Sequence, residues 1–158
     1  MTMKIDAWKP PGANEVEMAA VVALYRQGLA AQTPPETRHA TSARAAVEDW
    51  FKVPKTAAIV AKGVGDRVEG VLFFRNEAPS VRILYVSTRE HRRGVGSQLV
   101  ASIRDLCAKK GVKELKAHVS AKDERQAAFF KKHGFGGERP VGELSSGFPL
   151  VEMTLATG

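Results

Sequence analysis

The sequence contains a single cysteine, Cys107, and only 7% of its 158 residues are aromatic. One thiol cannot form an internal disulfide, so no disulfide framework holds the chain, and a reducing, cytoplasmic setting is expected. No basic stretch is interleaved with aromatics in the manner that stacks bases. That removes the stacking surface of a single-strand binder, and no specific nucleic-acid partner is expected. No apolar run approaches the roughly 20 residues of a membrane helix, so no membrane partner is expected. Met1 to Pro10 carries charges and no apolar stretch, so no secretory leader is expected. No pair of Cys or His stands at metal-ligand spacing, and no metal is expected. No repeat, low-complexity tract or linker divides the sequence, and its length suits one domain over residues 1–158.

Hydrophobic residues make up 44% and charged residues 26%, a balance that lets a chain bury a core and stay soluble. Lys and Arg number 24 against 17 Asp and Glu, a net charge of +7 that favours anionic partners; nucleic acid and a phosphorylated cofactor both qualify.

Met18, Val21, Val22, Tyr25 and Leu29 fall on one face of a helix begun at Asn14 and Glu17. Pro34 and Pro35 force a loop, and Ala43, Ala46, Val47 and Trp50 form a second, short apolar face. The period then changes to two. Thr56–Ala61 and Val68–Phe74 read as strands joined through Gly63–Asp66, and Gly70 marks a bulge or a close backbone approach. Ser80–Ser87 is a third strand, followed by a helix over Val95–Lys110 with Gly111 as its cap. Val112–Val119 is a strand, Asp123 and Gln126 open a helix closed by Gly134, and two strands near Phe135–Leu144 and Pro149–Leu155 end the chain. With a first strand near Met3–Trp8 the order is βαα-βββ-αβ-αββ, a mixed α/β domain.

Leu84 to Ser97 reads LYVSTREHRRGVGS: a strand, an arginine-rich turn, then Gly94 and Gly96 opening a helix. Glycines let backbone N–H groups converge without a Cβ in the way, and the first N–H groups of a helix have no partner of their own. With the helix dipole they form an anion site, to which Arg92 and Arg93 add full charges. A dinucleotide fingerprint needs a third glycine where Leu99 stands, and a nucleotide P-loop needs Lys then Ser or Thr after the last glycine. What remains is a phosphate cradle of another kind, or a plain helix cap beside a solvated arginine turn.

Leu84-Tyr85-Val86, seven residues, Gly94-Val95-Gly96-Ser97 and an amphipathic helix resemble the acetyl-CoA motif of the GNAT family, the general N-acetyltransferases. Asp123 to Phe135, DERQAAFFKKHGF, is similar to that family's second signature. The resemblance spans about Val68 to Leu155. It implies a single GNAT-like α/β (α+β) domain, with a mixed, mostly antiparallel sheet and helices on both faces. It implies that the strand ending at Val86 and the strand Val112–Val119 start parallel and splay, with acetyl-CoA in the gap. The pantetheine arm would pair with Leu84 and Val86 beside Tyr85, and the pyrophosphate would lie on the N–H groups of Arg92, Arg93, Gly94, Val95, Gly96 and Ser97. The expected reaction is direct acetyl transfer to a primary amine, with a backbone N–H near the end of the Ser80–Ser87 strand holding the oxyanion. A homodimer by exchange of end strands is an arrangement the resemblance leaves open.

Three positions depart from the family pattern. His91 replaces Gln or Arg ahead of the first glycine, Asp123 replaces Asn, and Phe130 replaces a tyrosine that protonates the departing thiolate. Asp123 has two readings, helix cap or cofactor contact, and Phe130 is expected to pack against the cofactor arm. The strand Ser80–Ser87 carries no carboxylate to serve as base. His118 is the leading substitute, with a surface histidine as its plain reading, and Tyr85 and Ser120 are weaker candidates. Glu36 and His39 stand in the loop where family members shape the acceptor pocket, and Cys107 falls on an inward helical stripe as an inert core residue. Lys131 and Lys132 read as a solvated face, or as a contact for the nucleotide end of CoA. The rival to an enzyme is an acyl-CoA-binding regulatory or interaction module that has lost catalysis.

Overall fold

In a computed structural model the structure describes residues 3–10, 14–31, 43–89, 94–143 and 149–157. Its elements are β1 (Lys4–Trp8), α1 (Glu15–Ala31), α2 (Ala43–Trp50), β2 (Thr56–Lys62), β3 (Val68–Glu77), β4 (Ser80–Thr88), α3 (Val95–Lys109), β5 (Glu114–Ser120), α4 (Glu124–Lys132), β6 (Gly136–Glu143) and β7 (Pro149–Ala156). The expected order holds throughout. The side chain of Asn14 accepts the Glu17 N–H at 2.7 Å, so α1 starts where its cap residue stands. The side chain of Leu29 lies outside the described residues.

The seven strands form one sheet in the order β1-β2-β3-β4-β5-β7-β6. Every pairing is antiparallel except β4 with β5. Alternation along the strands feeds two cores. On one face Leu72, Ile83, Leu115, Ala117 and Met153 meet Leu99, Ile103 and Phe130 of α3 and α4. On the other Val60, Val71 and Phe73 meet Val21, Tyr25 and Val47 of α1 and α2.

Glycines set two of the joints. Gly111 closes α3 with φ of 75°, and the Val112 N–H returns to the Cys107 carbonyl at 2.9 Å. Val112 thus belongs to the helix cap, and β5 begins at Glu114 rather than at Val112. At Gly70 both sequence readings apply. Ala61 pairs with Gly70 and Lys62 with Val68, so Glu69 is bulged. A Cβ on Gly70 would also lie 2.7 Å from Cγ1 of Val95 and 3.1 Å from Cδ1 of Leu99, so the missing side chain lets the start of α3 lie against the sheet. Gly70→Ala is therefore expected to destabilise the fold by about 1–3 kcal/mol, as overpacking does, read as a lower urea midpoint at unchanged slope.

Candidate active site

The site is built on a fork. Parallel pairing of β4 with β5 runs from Ser80 opposite Glu114 to Ile83 opposite Ala117 and stops there. The first residues past the fork are Leu84 on β4 and His118 on β5. On its other edge β4 pairs Tyr85 with Phe73 and Ile83 with Phe74, which leaves Leu84 as a bulge. A bulge bends its strand and reverses the alternation beyond it. Val81 and Ile83 face the α3 core, but after Leu84 it is Val86 that faces that core while Tyr85 packs toward α1. The bend carries β4 away from β5. Backbone groups of both strands are left facing a gap that, among the described residues, no third strand fills.

Side chains pin the bent strand to α1. The Tyr85 hydroxyl donates to the Tyr25 carbonyl at 3.0 Å, the Ser87 hydroxyl to the Leu24 carbonyl at 2.7 Å, and Gln27 Nε2 lies 3.3 Å from the carbonyls of Thr88 and Arg89. Gly28 belongs to this contact, because a Cβ there would collide with the Tyr85 hydroxyl. Burial, reinforced by Tyr25 and only partly offset by Ser87, pushes the Tyr85 phenol well above its ordinary range. The geometry makes Tyr85 a tether between β4 and α1.

At the mouth of the fork α3 begins. Gly94 is its N-cap, in the left-handed region at φ of 74°, and among the described residues no side chain caps the helix. The N–H groups of Val95, Gly96 and Ser97 therefore open toward the gap with the positive end of the helix dipole. The Phe129 ring packs over Gly96, where a Cβ would stand 3.2 Å from it. Ser97 Oγ lies 2.9 Å from His133 Nε2. Burial, with the charges of Lys132 and Arg104, lowers His133 below its ordinary range. His91, Arg92 and Arg93 lie outside the described residues, as do Glu36 and His39.

Helix α4 lines the opposite wall. Asp123 is its N-cap and accepts the Gln126 N–H at 3.0 Å, which realises the capping reading. Phe130 is buried and its ring meets that of Phe135 at 5.2 Å. Lys131 pairs with Glu138 at 2.9 Å, whereas Lys132 lines the gap. Cys107 is buried in the α3 core, and burial, partly offset by Lys110, raises its thiol.

These walls enclose a cleft of about 660 Å³. It passes through the sheet: Phe129 and Phe130 line it on the α4 side, Gly28 of α1 lines it on the other, and Leu84, Tyr85, Val86, His118 and Ser120 line the fork itself. Of the sequence candidates, Gly94, Gly96, Ser97 and Asp123 also reach this cleft, while Val95 is buried beneath it.

Sequence reasoning missed the carboxylate. Glu152 on β7 stands directly opposite His118 in register and bonds its Nε2 at 3.0 Å. Arg139 on β6 holds the other oxygen of Glu152 at 2.7 Å. Burial opposes ionisation of Glu152, but the hydrogen bonds from His118 and Arg139 and the charges of Lys116 and Arg139 outweigh it, so the carboxyl sits below the usual range. The signal was present in the alternation of β7, which sets Glu152 on the face opposite Val151 and Met153. The strand order that brings β7 beside β5 was not.

Three comparisons bear on this geometry. The model of the Acetyltransferase (GNAT) family matches residues 20–135, and the chain belongs to that family. No curated protein sequence matches it. Among solved structures, an aminoglycoside 6'-N-acetyltransferase complexed with coenzyme A superposes with a TM-score of 0.73 at 18% identity, covering 99% of this chain and 98% of that one. An N-acetyltransferase from Staphylococcus aureus gives 0.71 at 18% identity over 100% of both chains. The PaiA N-acetyltransferase of Thermoplasma acidophilum, solved with coenzyme A, gives 0.68 at 13% identity, covering 95% of this chain and 98% of that one. Among the described residues no helix is long and apolar enough to cross a membrane, and no His, Cys, Asp and Glu cluster could hold a metal.

Asp123→Ala is expected to lower the unfolding free energy by about 1 kcal/mol through loss of the α4 cap, and Asp123→Asn to retain most of it, as read by chemical denaturation.

Proposed function

We propose that the protein transfers the acetyl group of acetyl-CoA directly to a primary amine, with the cofactor in the fork and His118 as the base. The observation that carries this reading is the fork: unpaired strand edges, the glycine-led start of α3 and a histidine all meet in one cleft that crosses the sheet. The edges of β4 and β5 suit an extended arm with amide groups, which would complete the sheet as an added strand. The N–H groups of Val95 to Ser97 suit phosphate oxygens. Solved structures of the same fold hold coenzyme A, which supports this choice of ligand. Acetyl-CoA, when bound, supplies an acyl group already activated as a thioester.

The harder task is on the amine side. An alkylamine with a pKa of about 10.4 is almost wholly protonated at neutral pH, and freeing its lone pair costs about 4–5 kcal/mol. His118 stands at the fork itself, on the face opposite Leu115, Ala117 and Val119, where an amine entering from the α1 side would meet it. Phe130 brings no proton to this cleft, and departure of the thiol, with a pKa near 8.5, does not require one. Phe130 is also the observation that favours the second reading, an acyl-CoA-binding module without turnover.

One set of measurements separates the two. Acetyl-CoA is expected to stabilise the wild type against heat and to yield free thiol with at least one amine in a panel of acceptors. Gly96→Glu drives a side chain into Phe129 and a negative charge toward the phosphates, and is expected to abolish binding. His118→Ala is expected to keep binding, lower turnover by about 10²–10⁴ and remove the acidic limb of the pH profile. Undiminished binding by Gly96→Glu would place the cofactor elsewhere. Binding with silence on every amine would establish the module.

A further inference from the structure

We infer that Glu152 is the positioning residue of the base, holding His118 with its proton on Nε2 and leaving Nδ1 free to take a proton from the acceptor amine. The inference rests on the proposed role of His118.

The two residues lie far apart in sequence and directly opposite one another on neighbouring strands, and both are in the interior of their strands. Glu152 is buried, and each of its oxygens is engaged: Oε2 by His118 Nε2 at 3.0 Å, Oε1 by Arg139 at 2.7 Å, with Lys116 Nζ at 3.8 Å from Oε1. The hydrogen bonds from His118 and Arg139 and the charges of Lys116 and Arg139 keep the carboxyl ionised at neutral pH despite its burial. An ionised carboxylate only accepts hydrogen bonds, so the proton between the two side chains belongs to Nε2. In a neutral imidazole that fixes the lone pair on Nδ1.

Position makes the pair more than a buried ion contact. His118 is the first residue of β5 past the fork and lines the cleft, whereas Glu152 does not line it. Glu152 thus acts through His118. Arg139, with 66% of its side chain exposed, reaches in from β6 and keeps Glu152 from turning away. Among the described residues, the charged and titratable groups that neighbour His118 or share its cleft are Lys116 on its own strand, Glu152 on β7, Tyr85 on β4, and Asp123, Arg125 and Lys132 at the two ends of α4, with Arg139 of β6 reaching Glu152. Glu152 is the anion in hydrogen-bond contact with the ring.

The proton movement balances without any further reactant. An N–H bond of the acceptor ammonium breaks, its electron pair stays on nitrogen as the nucleophile, and the proton bonds to Nδ1. The imidazolium so formed lies against the Glu152 carboxylate until Nδ1 releases the proton to solvent through the cleft.

The test combines kinetics with a readout that does not depend on activity. In the wild type, ¹⁵N shifts of the His118 ring are expected to show the Nε2–H tautomer; the Nδ1–H tautomer would overturn the inference, and this measurement needs no variant to fold. In Glu152→Gln, turnover on an accepted amine is expected to fall by about 10- to 100-fold, the loss typical of a residue that orients a working imidazole. The KM for acetyl-CoA is expected to stay unchanged. His118→Ala, run in parallel, tells two failures apart. If His118→Ala leaves the acidic limb in place, the base reading fails and this inference with it. If His118→Ala removes the limb while Glu152→Gln leaves the rate unchanged, the base stands and the role of Glu152 is wrong.

Discussion

The parting of β4 from β5 is the feature on which the rest of the structure depends. A sheet that stayed paired across these strands would satisfy every backbone group between them and leave no cleft. The bulge at Leu84 breaks that pairing after Ile83 and Ala117 and reverses which face the following residues address. Open backbone groups inside a protein are costly unless something satisfies them. The fork is a place where the fold leaves that demand to water or a ligand.

Keeping a fork open takes support on both sides. On one face Tyr85, Ser87 and Gln27 tie the bent strand to α1, with Gly28 allowing the approach. On the other, Gly70 lets the start of α3 lie against the sheet, and Asp123 fixes the start of α4 so that Phe129 and Phe130 form a wall. The two ends of the cleft differ in charge. The start of α3 offers backbone N–H groups and a positive dipole end, which suits an anion. Across the fork Glu152 is a single buried carboxylate shared by His118, Arg139 and Lys116.

Much of this was legible in the sequence. The element order followed from periodicity and from Gly and Pro positions, because each element announces itself over its own few residues. Gly94 and Gly96 marked the helix start that faces the cleft, and the Asp123 and Gln126 pair marked the head of α4. What could not be read was long-range. Glu152 reaches His118 only because β7 inserts between β5 and β6, a strand order that no local pattern encodes. The tether from Tyr85 to Tyr25 depends on the bulge at Leu84, which the run SVRILYVS does not betray. A polar residue on a strand thus showed its face of the sheet but not its partner.

The central claim is that the fork is the cofactor site. Backbone hydrogen exchange with and without acetyl-CoA tests it most directly, since it reports the unpaired N–H groups themselves. Bound acetyl-CoA is predicted to slow exchange at Leu84 to Val86 on β4 and at Val95 to Ser97 at the start of α3, and to leave β1 and β2 unchanged. Saturating acetyl-CoA with no added protection at either segment, or with protection confined to another part of the sheet, would contradict the account.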